Sequence, residues 1–230
     1  MKNLFLECKI MEITSAMLFE PGHSAAYDLV TGFKYPWEAL AHIKNFILEL
    51  GKTLNTDEYT LAGENIWISK SAVVAASASI TGPCIIGPDT EVRHCAFIRG
   101  SALIGANCVI GNSTELKNVI IFDNVQVPHY NYVGDSILGY RSHMGAGSIT
   151  SNVKSDKTLV TVKFGAERLE TGLKKFGAIL GDNVEIGCGS VLNPGTVIGK
   201  STSVYPLSSV RGFIKPGSIY KNQNEIIFRS

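Results

Sequence analysis

Aliphatic residues recur at every sixth position along most of this chain. A first run of nine such positions begins at Ile68, and a second run of six begins at Leu180. The fifteen positions are Ile68, Val74, Ile80, Ile86, Val92, Ile98, Ile104, Ile110, Leu116, Leu180, Ile186, Leu192, Ile198, Val204 and Val210. A spacing of six fits neither a helical period near 3.6 nor simple strand alternation. It indicates a parallel β-helix, in which each short strand directs one aliphatic side chain into a shared core.

The hexads also predict how the coils stack. In the left-handed form of this fold three hexads make one triangular coil, so residues about 18 apart lie on neighbouring coils, ~4.8 Å from each other. Between Leu116 and Met144 the step shortens twice. The best register there is Leu116, Ile121, Val127, Val133, Leu138 and Met144. We therefore expect an all-β fold, a left-handed parallel β-helix over residues 61–215.

Residues 1–60 lack the six-residue spacing of aliphatic residues and are expected to form a small α-containing N-terminal cap or linker. Pro36 stands at a first-turn position, Glu38 lies in that turn, apolar residues follow at helical spacing, and Gly51 is a stop signal. This pattern predicts an amphipathic helix over about residues 36–50.

Two further segments interrupt or end the repeat. Residues 153–176 lose the period and carry many charges, so we expect a loop thrown out of the coil. It is either a solvated excursion or a lid or arm that contacts another subunit, and the sequence does not decide between them. Residues 216–230 are expected to be a tail that closes the open end of the coil, where backbone groups would otherwise be unpaired.

Composition restricts the partners of the chain. Its 230 residues contain 21 Lys and Arg against 20 Asp and Glu, and no basic stripe suggests nucleic acid or an anionic membrane. No window approaches the ~20 apolar residues of a membrane-spanning helix. The five cysteines are an odd number without metal-type spacing, which is typical of reduced thiols. We therefore expect a cytoplasmic protein.

A pair of cations occupies equivalent positions on neighbouring coils. Arg99 and Lys117 are 18 residues apart in the regular part of the repeat, so they should share a face. Two cations so close suit a phosphate group, which would lie between or over them. The alternative is that both point into solvent or pair with Glu115 and Asp135, and this alternative is favoured by the pattern alone.

A histidine marks a second alignment. In the adjusted register Asn112, His129 and Ala146 form one column. A histidine beside an amide side chain and beside the amides of Gly145, Ala146 and Gly147 has a candidate orienting partner and a candidate oxyanion donor. A surface histidine on a loop is an equally good interpretation. A zinc site is not expected, because the HxxxxH spacing of β-helical carbonic anhydrases is absent.

The segment from Arg99 to Asn152 resembles a known family. It is similar to the C-terminal acetyltransferase domain of the bifunctional bacterial enzymes that make UDP-N-acetylglucosamine. The matching positions are Arg99, Gly111-Asn112, Glu115, Lys117, His129, Tyr132, Gly134-Asp135, Gly145-Ala146-Gly147, Ile149-Thr150 and Asn152. In that family, a left-handed β-helix transfers acetyl from acetyl-CoA to glucosamine-1-phosphate. The resemblance thus implies a CoA-dependent N-acetyltransferase, acetyl-CoA as a substrate, no metal, and a homotrimer.

The resemblance also implies individual roles. His129 would be the general base, and Arg99 and Lys117 would hold the sugar phosphate. The other residues implied to line the acceptor site are Tyr132, Glu115, Asn152, His143 and Lys157, with Asn152 reaching a neighbouring subunit. The residues implied to contact CoA are Ala146, Gly147, Cys188 and Pro206.

The chain departs from the family pattern at several positions. His143 stands where the bacterial enzymes have an asparagine, Val153 replaces an aromatic residue, and Lys157 is the nearest candidate for a further acceptor lysine. The stretch around Trp37 and the long loop resemble archaeal-type sugar-1-phosphate nucleotidyltransferases with a C-terminal acetyltransferase coil. About 60 residues before the coil are too few for a nucleotidyltransferase domain. Two alternatives therefore stand: a non-catalytic sugar-phosphate or nucleotide-sugar binding trimer that partners a separate nucleotidyltransferase, and an acyltransferase for another amine.

Overall fold

Short parallel strands from Ile66 onward stack on three faces of a single solenoid. The structure, a computed structural model, describes residues 13–222 and 225–228. Its coils form a left-handed parallel β-helix of hexapeptide repeats, so the fold class predicted from the sequence is confirmed. The register is confirmed as well, because Val127 pairs with Ile110 and Leu138 with Ile121.

The first face begins with a hairpin, in which β1 (Tyr59–Gly63) pairs antiparallel with β2 (Ile66–Ser69). Above β2, the face continues with β5 (Cys84–Ile86), β8 (Ala102–Ile104), β10 (Glu115–Ile121), β12 (Tyr132–Leu138), β17 (Ala178–Leu180), β20 (Thr196–Ile198) and β23 (Phe213–Ile214). The strands β10 and β12 are longer than the others, because each turns a corner from the third face onto the first.

The second and third faces are built in the same way. The second face contains β3 (Val73–Val74), β6 (Glu91–Val92), β9 (Val109–Asn112), β11 (Gln126–His129), β13 (His143–Met144), β18 (Glu185–Ile186), β21 (Ser203–Val204) and β24 (Ser218–Asn222). The third face contains β4 (Ser79–Ile80), β7 (Phe97–Ile98), the first halves of β10 and β12, β14 (Ile149–Thr150), β19 (Val191–Leu192) and β22 (Ser209–Val210). The hexad side chains from Ile86 to Leu192 that these strands direct inward are buried and form the axial core.

The described part of the N-terminal cap, residues 13–60, packs on the first face. It contains two 3-10 helices (Ser15–Met17 and Pro36–Ala41) and two α-helices, α1 (Tyr27–Thr31) and α2 (Ile43–Thr53). Helix α2 contacts β5, β8 and β10, and the Pro36–Ala41 helix contacts β12. The outward residues of this face are therefore buried, as for Leu103 and Ile120.

The helix expected over residues 36–50 is two helices that meet at His42. The predicted start is present, since the Glu38 carboxylate accepts a hydrogen bond from the Tyr35 N–H (3.0 Å). Trp37 and Leu40 are both buried. Side chains three residues apart lie over each other in a 3-10 helix, which presents this pair to the coil.

The insertion after Asn152 is a packed hairpin and not an irregular loop. It contains the antiparallel strands β15 (Thr161–Phe164) and β16 (Glu167–Glu170). Its ends meet where the Phe176 N–H donates to the Asn152 carbonyl (2.9 Å). Val162 is buried, and Phe164 contacts Phe213 edge to face, with ring centroids 5.4 Å apart. The hairpin therefore lies against later coils of its own chain.

The expected C-terminal tail begins as part of the coil. Its strand β24 pairs in parallel with β21 on the second face, so the coil extends past residue 215 to Asn222. The strand β25 (Glu225–Phe228) then folds back antiparallel and covers the free edge of β24. Within residues 13–222 and 225–228, every helix is too short or too polar to cross a bilayer.

Candidate active site

The corner between the second and third faces carries the histidine singled out by the sequence. Strand pairing matches His129 with Asn112 and sets His143 above Gln126, so Ala146 lies above His129. The same pairing continues upward through the later coils. The resulting column, here called the His129 corner, consists of His94, Asn112, His129, Ala146, Cys188 and Pro206. The predicted base and three of the predicted CoA contacts thus lie on one line of the solenoid.

The backbone of His129 is fixed while its ring is exposed. The His129 N–H donates to the Asn131 side-chain oxygen (3.0 Å), and the amide of Asn131 donates to the carbonyls of Gly145 (2.8 Å) and Ser148 (3.0 Å). Asn131 is buried, so this side chain joins two coils across the corner. Sequence reasoning assigned no role to Asn131, although its place two residues after the histidine suits such a turn.

Asn112 offers a free acceptor below His129. Its Nδ2 donates to the His94 carbonyl (3.4 Å), which fixes the direction of the amide. Its Oδ1 is buried and has no hydrogen-bond partner within residues 13–222 and 225–228. Buried polar atoms without a partner are rare. This oxygen is therefore suited to accept a hydrogen bond from a ring N–H of His129.

One of the three backbone amides in the turn from Gly145 to Gly147 is available to a ligand. The Gly145 N–H donates to the Ile186 carbonyl (2.7 Å), and the Gly147 N–H donates to the His129 carbonyl (3.0 Å). Both bonds hold neighbouring coils together. The Ala146 N–H forms no hydrogen bond in the described part of the chain, and Ala146 is exposed. Of the three, the Ala146 N–H is therefore the one left to act as the candidate oxyanion donor.

Small residues line the upper part of the His129 corner between two bulky ones. Gly147, Cys188, Gly189 and Pro206 are exposed and project little. Tyr130 and Leu207 stand at either end of this stretch, with exposed fractions of 67% and 85%. Their backbones are left-handed, with φ of 51° and 58°, which is uncommon for bulky residues. The arrangement leaves a shallow track along the corner.

The two predicted phosphate ligands lie side by side on the third face, but each already has an acidic partner. Strand β10 pairs with β7, so Lys117 lies above Arg99. The Arg99 guanidinium is 2.7 Å from the Glu115 carboxylate, and the Lys117 ammonium is 3.6 Å from the Asp135 carboxylate. The ion pairing put forward from the sequence as the alternative is what the structure contains.

Asp135 is the centre of a hydrogen-bond network that sequence reasoning did not assign to the site. Its carboxylate accepts from Nδ2 of Asn118 (3.0 Å) and from Nδ2 of Asn152 (2.5 Å), besides facing Lys117. Asn152 also lies 3.3 Å from the Tyr132 hydroxyl. The Asn152 amide is thus engaged within its own chain, whereas the resemblance implies a reach into a neighbouring subunit.

The electrostatics of this cluster keep Tyr132 protonated. Partial burial raises the pKa of Tyr132, and the carboxylates of Asp135 and Glu115 raise it further. The hydrogen bond with Glu115 raises the pKa of Arg99, and the charge of the same carboxylate adds to that effect. At neutral pH the cluster therefore offers a neutral phenol hydroxyl and two cations to an incoming group.

His143 and Lys157 are not joined to this cluster by any contact within the described residues. His143 begins strand β13 on the second face, and its Nδ1 lies 2.9 Å from the Glu185 carboxylate. Lys157 is exposed in the turn of the insertion, where its N–H donates to the Lys154 carbonyl (3.0 Å). Residues 13–222 and 225–228 contain no group of three metal-ligating side chains.

Residues 80–202 match the protein family described as the GMPPB C-terminal domain. The match covers just over half of the chain. The chain belongs to this family. The matched segment contains the His129 corner from His94 to Cys188 and all of the Asp135 network.

Curated relatives agree with the resemblance found in the sequence. The bifunctional protein GlmU of Methanococcus aeolicus is 35% identical over 50% of this chain and 28% of its own length. The bifunctional sugar-1-phosphate nucleotidylyltransferase/acetyltransferase of Sulfurisphaera tokodaii is 31% identical over 46% of this chain and 26% of its own. The GlmU of Methanococcus maripaludis strain S2 is 31% identical over 94% of this chain and 54% of its own. The chain thus spans about a quarter to a half of these relatives.

Proposed function

We propose that this protein transfers acetyl from acetyl-CoA to the amine of a hexosamine-1-phosphate, glucosamine-1-phosphate or a close relative. The observation that carries the proposal is the His129 corner, which aligns a histidine, an available amide and a track of small residues along one edge of the third face, the face that also carries Arg99 and Lys117. An acetyl transferase needs a base, an oxyanion donor and an acceptor site. The acetyltransferase named in the relative from Sulfurisphaera tokodaii supports it.

His129 acts as the general base in this mechanism. Its imidazole accepts a proton from the acceptor amine as the nitrogen attacks the thioester carbonyl carbon, forming the new carbon–nitrogen bond. The Ala146 N–H stabilises the negative oxygen of the tetrahedral intermediate. The carbon–sulfur bond then breaks, and the leaving sulfur takes up the proton held by His129. Asn112 Oδ1, which is otherwise unpartnered, orients the ring.

Arg99 and Lys117 hold the phosphate of the acceptor. Glu115 and Asp135 keep the two cations on one side of the third face while the acceptor site is empty. The Arg99 side chain is 45% exposed, so it can turn toward a phosphate without leaving a buried charge unpaired. Tyr132 and Asn152 position the sugar. His143 and Lys157 contact the acceptor through the second face and the insertion.

The site is completed by assembly into a homotrimer. The His129 corner is a convex edge in one chain, and a cleft arises only when a second copy faces it. The described part of the cap packs on the first face, so the subunit contacts of this trimer use the second and third faces. We also propose a cytoplasmic location, which is supported by four cysteines that are unpaired in the described residues.

Release of free CoA thiol from acetyl-CoA tests the proposal directly. The reaction is followed with glucosamine-1-phosphate, with galactosamine-1-phosphate and without acceptor. We expect release that depends on one of the two acceptors. The folding of the protein is checked first by its thermal unfolding. If the folded protein then releases no CoA with either acceptor, the result would favour the alternative of a binding trimer that partners a separate nucleotidyltransferase. Release with a different amine alone would favour the third alternative.

A further inference from the structure

The corner between the third and first faces stacks two polar residues directly behind the proposed acceptor site. Strand β10 pairs in parallel with β12, and the register sets Asn118 against Asp135, one residue beyond Lys117 along β10. Both have left-handed backbones, with φ of 53° and 49°, a conformation that Asn and Asp adopt more readily than most residues. This corner therefore lies between the acceptor cluster and the face on which the cap packs.

The Asn118 amide joins this corner to the cap. Its Nδ2 donates one hydrogen bond to the Leu40 carbonyl (3.3 Å) in the Pro36–Ala41 helix and another to Oδ1 of Asp135 (3.0 Å). A side-chain amide nitrogen has two N–H donors, so both are used. Asp135 is 5% exposed. One side chain thus connects the backbone of the cap with a buried carboxylate of the coil.

This hydrogen bond leaves the second oxygen of Asp135 for the acceptor site. Oδ2 accepts from Nδ2 of Asn152 (2.5 Å) and lies 3.6 Å from the Lys117 ammonium. A buried carboxylate oxygen without a donor is unfavourable, so loss of the Asn118 amide would draw Lys117 toward Oδ1. Lys117 would then be held closer to Asp135 and farther from a phosphate on the third face. The orientation of the Asp135 carboxylate thus sets the position of Lys117.

A second contact from the cap reaches the same network. Trp37 lies against Phe176, with ring centroids 5.9 Å apart. The Phe176 N–H donates to the Asn152 carbonyl (2.9 Å), and the Gly177 N–H donates to the Asp135 carbonyl (2.9 Å). Asn152, whose side chain holds Oδ2 of Asp135, is therefore braced by the cap through the end of the insertion. Two routes from the cap thus meet at one carboxylate.

We propose that Asn118 is a positioning residue of the acceptor site, and that the cap raises the affinity of this site for a sugar phosphate through Asn118 and Asp135. The inference rests on the proposed function, because it takes the phosphate to lie at Arg99 and Lys117. Asn118 does not touch the ligand; it holds the carboxylate that holds Lys117. The cap thus contributes to acceptor binding as well as to packing on the first face.

The first test compares Asn118→Gly with Asn107→Gly. Asn107 has the same left-handed backbone (φ 53°) in an exposed turn between the first and second faces, so it is a matched control. Glycine adopts this conformation freely, so each variant removes the amide side chain without backbone strain. For Asn118→Gly we expect the Kd and the KM of glucosamine-1-phosphate to rise about tenfold, because the contact of a charged group with the phosphate is weakened.

The other constants show whether the effect is confined to the acceptor. The kcat at saturating acceptor, the KM of acetyl-CoA and every constant of Asn107→Gly should stay within about twofold of wild type. A purely structural role would change the thermal unfolding temperature alone. If Asn118→Gly lowers that temperature but leaves the Kd of glucosamine-1-phosphate at the wild-type value, the inference is overturned.

The route through Asp135 is tested with Asp135→Asn. An uncharged side chain no longer holds Lys117 by an ion pair, so the orientation set by Asn118 loses its effect. The double variant Asn118→Gly with Asp135→Asn should therefore have the same Kd for glucosamine-1-phosphate as Asp135→Asn alone. If the two losses multiply, Asn118 does not act through Asp135 and the inference is overturned.

Amide hydrogen exchange tests the part played by the cap. If the cap raises the affinity for the sugar phosphate, the sugar phosphate must stabilise the cap, because coupling between two sites is reciprocal. Saturating glucosamine-1-phosphate should therefore slow exchange in residues 36–53 of wild type, and acetyl-CoA alone should not. The effect should be lost in Asn118→Gly and kept in Asn107→Gly. Exchange of the wild-type cap that does not respond to glucosamine-1-phosphate would overturn the inference.

Equilibrium binding separates failure of this inference from failure of the proposed function. If wild type turns over and Asn118→Gly binds the sugar phosphate as wild type does, the reaction stands and the role of Asn118 is overturned. If wild type binds the sugar phosphate without turnover, and Asn118→Gly weakens that binding about tenfold, the role of Asn118 stands and the transferase assignment is overturned. If wild type binds no sugar phosphate, both are overturned.

Discussion

Gly134 shows how a single residue shapes the acceptor side of the site. A Cβ atom there would lie 2.5 Å from the Tyr132 hydroxyl and 3.0 Å from Nδ2 of Asn152. The Tyr132 hydroxyl would have to move, since a contact below 3.0 Å is too close, and the Asn152 amide would have to give by a few tenths of an ångström. The glycine therefore keeps the phenol and the amide beside Asp135.

We expect Gly134→Ala to raise the KM of the acceptor about tenfold and to leave the KM of acetyl-CoA unchanged, because the displaced Tyr132 hydroxyl lies in the proposed acceptor site and not on the CoA track. Tyr132→Phe should have a similar effect. The double variant Gly134→Ala with Tyr132→Phe should be no worse than either single variant, because both remove the same hydroxyl contact. Additive losses in steady-state kinetics would show that Gly134 acts in some other way.

At this scale the sequence predicted which of the candidate residues would line up along the coil. The column of Asn112, His129 and Ala146 follows from the register, which depends only on the aliphatic positions. The sequence put forward the pairing of Arg99 and Lys117 with carboxylates as an alternative, and the structure contains it. The use of the Gly145 and Gly147 amides between coils and the network around Asp135 do not follow from spacing. They depend on side-chain rotamers and on backbone bonds between coils, which a hexad pattern does not encode.

The sequence contains a signal that one face of the coil is covered, and sequence reasoning missed it. The first-face strands carry an apolar residue at the outward position as well as at the inward one, at Ile85, Leu103, Ile120, Ile137, Ile179 and Val197. Strands buried on both sides read as continuous apolar runs. These outward residues could have identified the first face as covered, and the other two as open.

Phe176 joins the insertion, the cap and the coil. It is fully buried, and its ring centroid is 5.9 Å from that of Trp37 in the cap. We expect Phe176→Ala to lower the free energy of unfolding by about 3–5 kcal/mol in urea denaturation, because it opens a cavity where three elements meet. Leu159→Ala is the matched control, since Leu159 lies in the same insertion and is 49% exposed. If Phe176→Ala lowers the free energy of unfolding by less than Leu159→Ala does, the insertion does not stabilise the fold.

Cysteine reactivity tests the track along the His129 corner. Burial raises the pKa of Cys84 and of Cys108 to about 12, so both thiols stay protonated and unreactive at pH 8 in the folded chain. Cys95 and Cys188 are exposed and should react with iodoacetamide. Saturating acetyl-CoA should protect Cys188 and leave Cys95 reactive, as measured by peptide mass spectrometry. Equal labelling of Cys188 with and without acetyl-CoA would place the CoA arm elsewhere.

The whole molecule is expected to act as a trimer, because one solenoid presents the His129 corner on a convex edge. Sedimentation equilibrium should give three times the 24.8 kDa chain mass at assay concentrations. Activity per chain should fall when the protein is diluted below the concentration at which the trimer dissociates, since each cleft needs two chains. A monomer with undiminished acetyl transfer would contradict the proposal that the site lies between subunits.

The most direct measurement of the central claim is acceptor-dependent CoA release by wild type, His129→Ala and His94→Ala. His94 is exposed in the same column, two coils before His129, and serves as the control for loss of a corner histidine. The proposed mechanism predicts a fall in kcat on the order of 10²–10⁴ for His129→Ala and little change for His94→Ala. Nearly full activity of His129→Ala would contradict the assignment of His129 as the base.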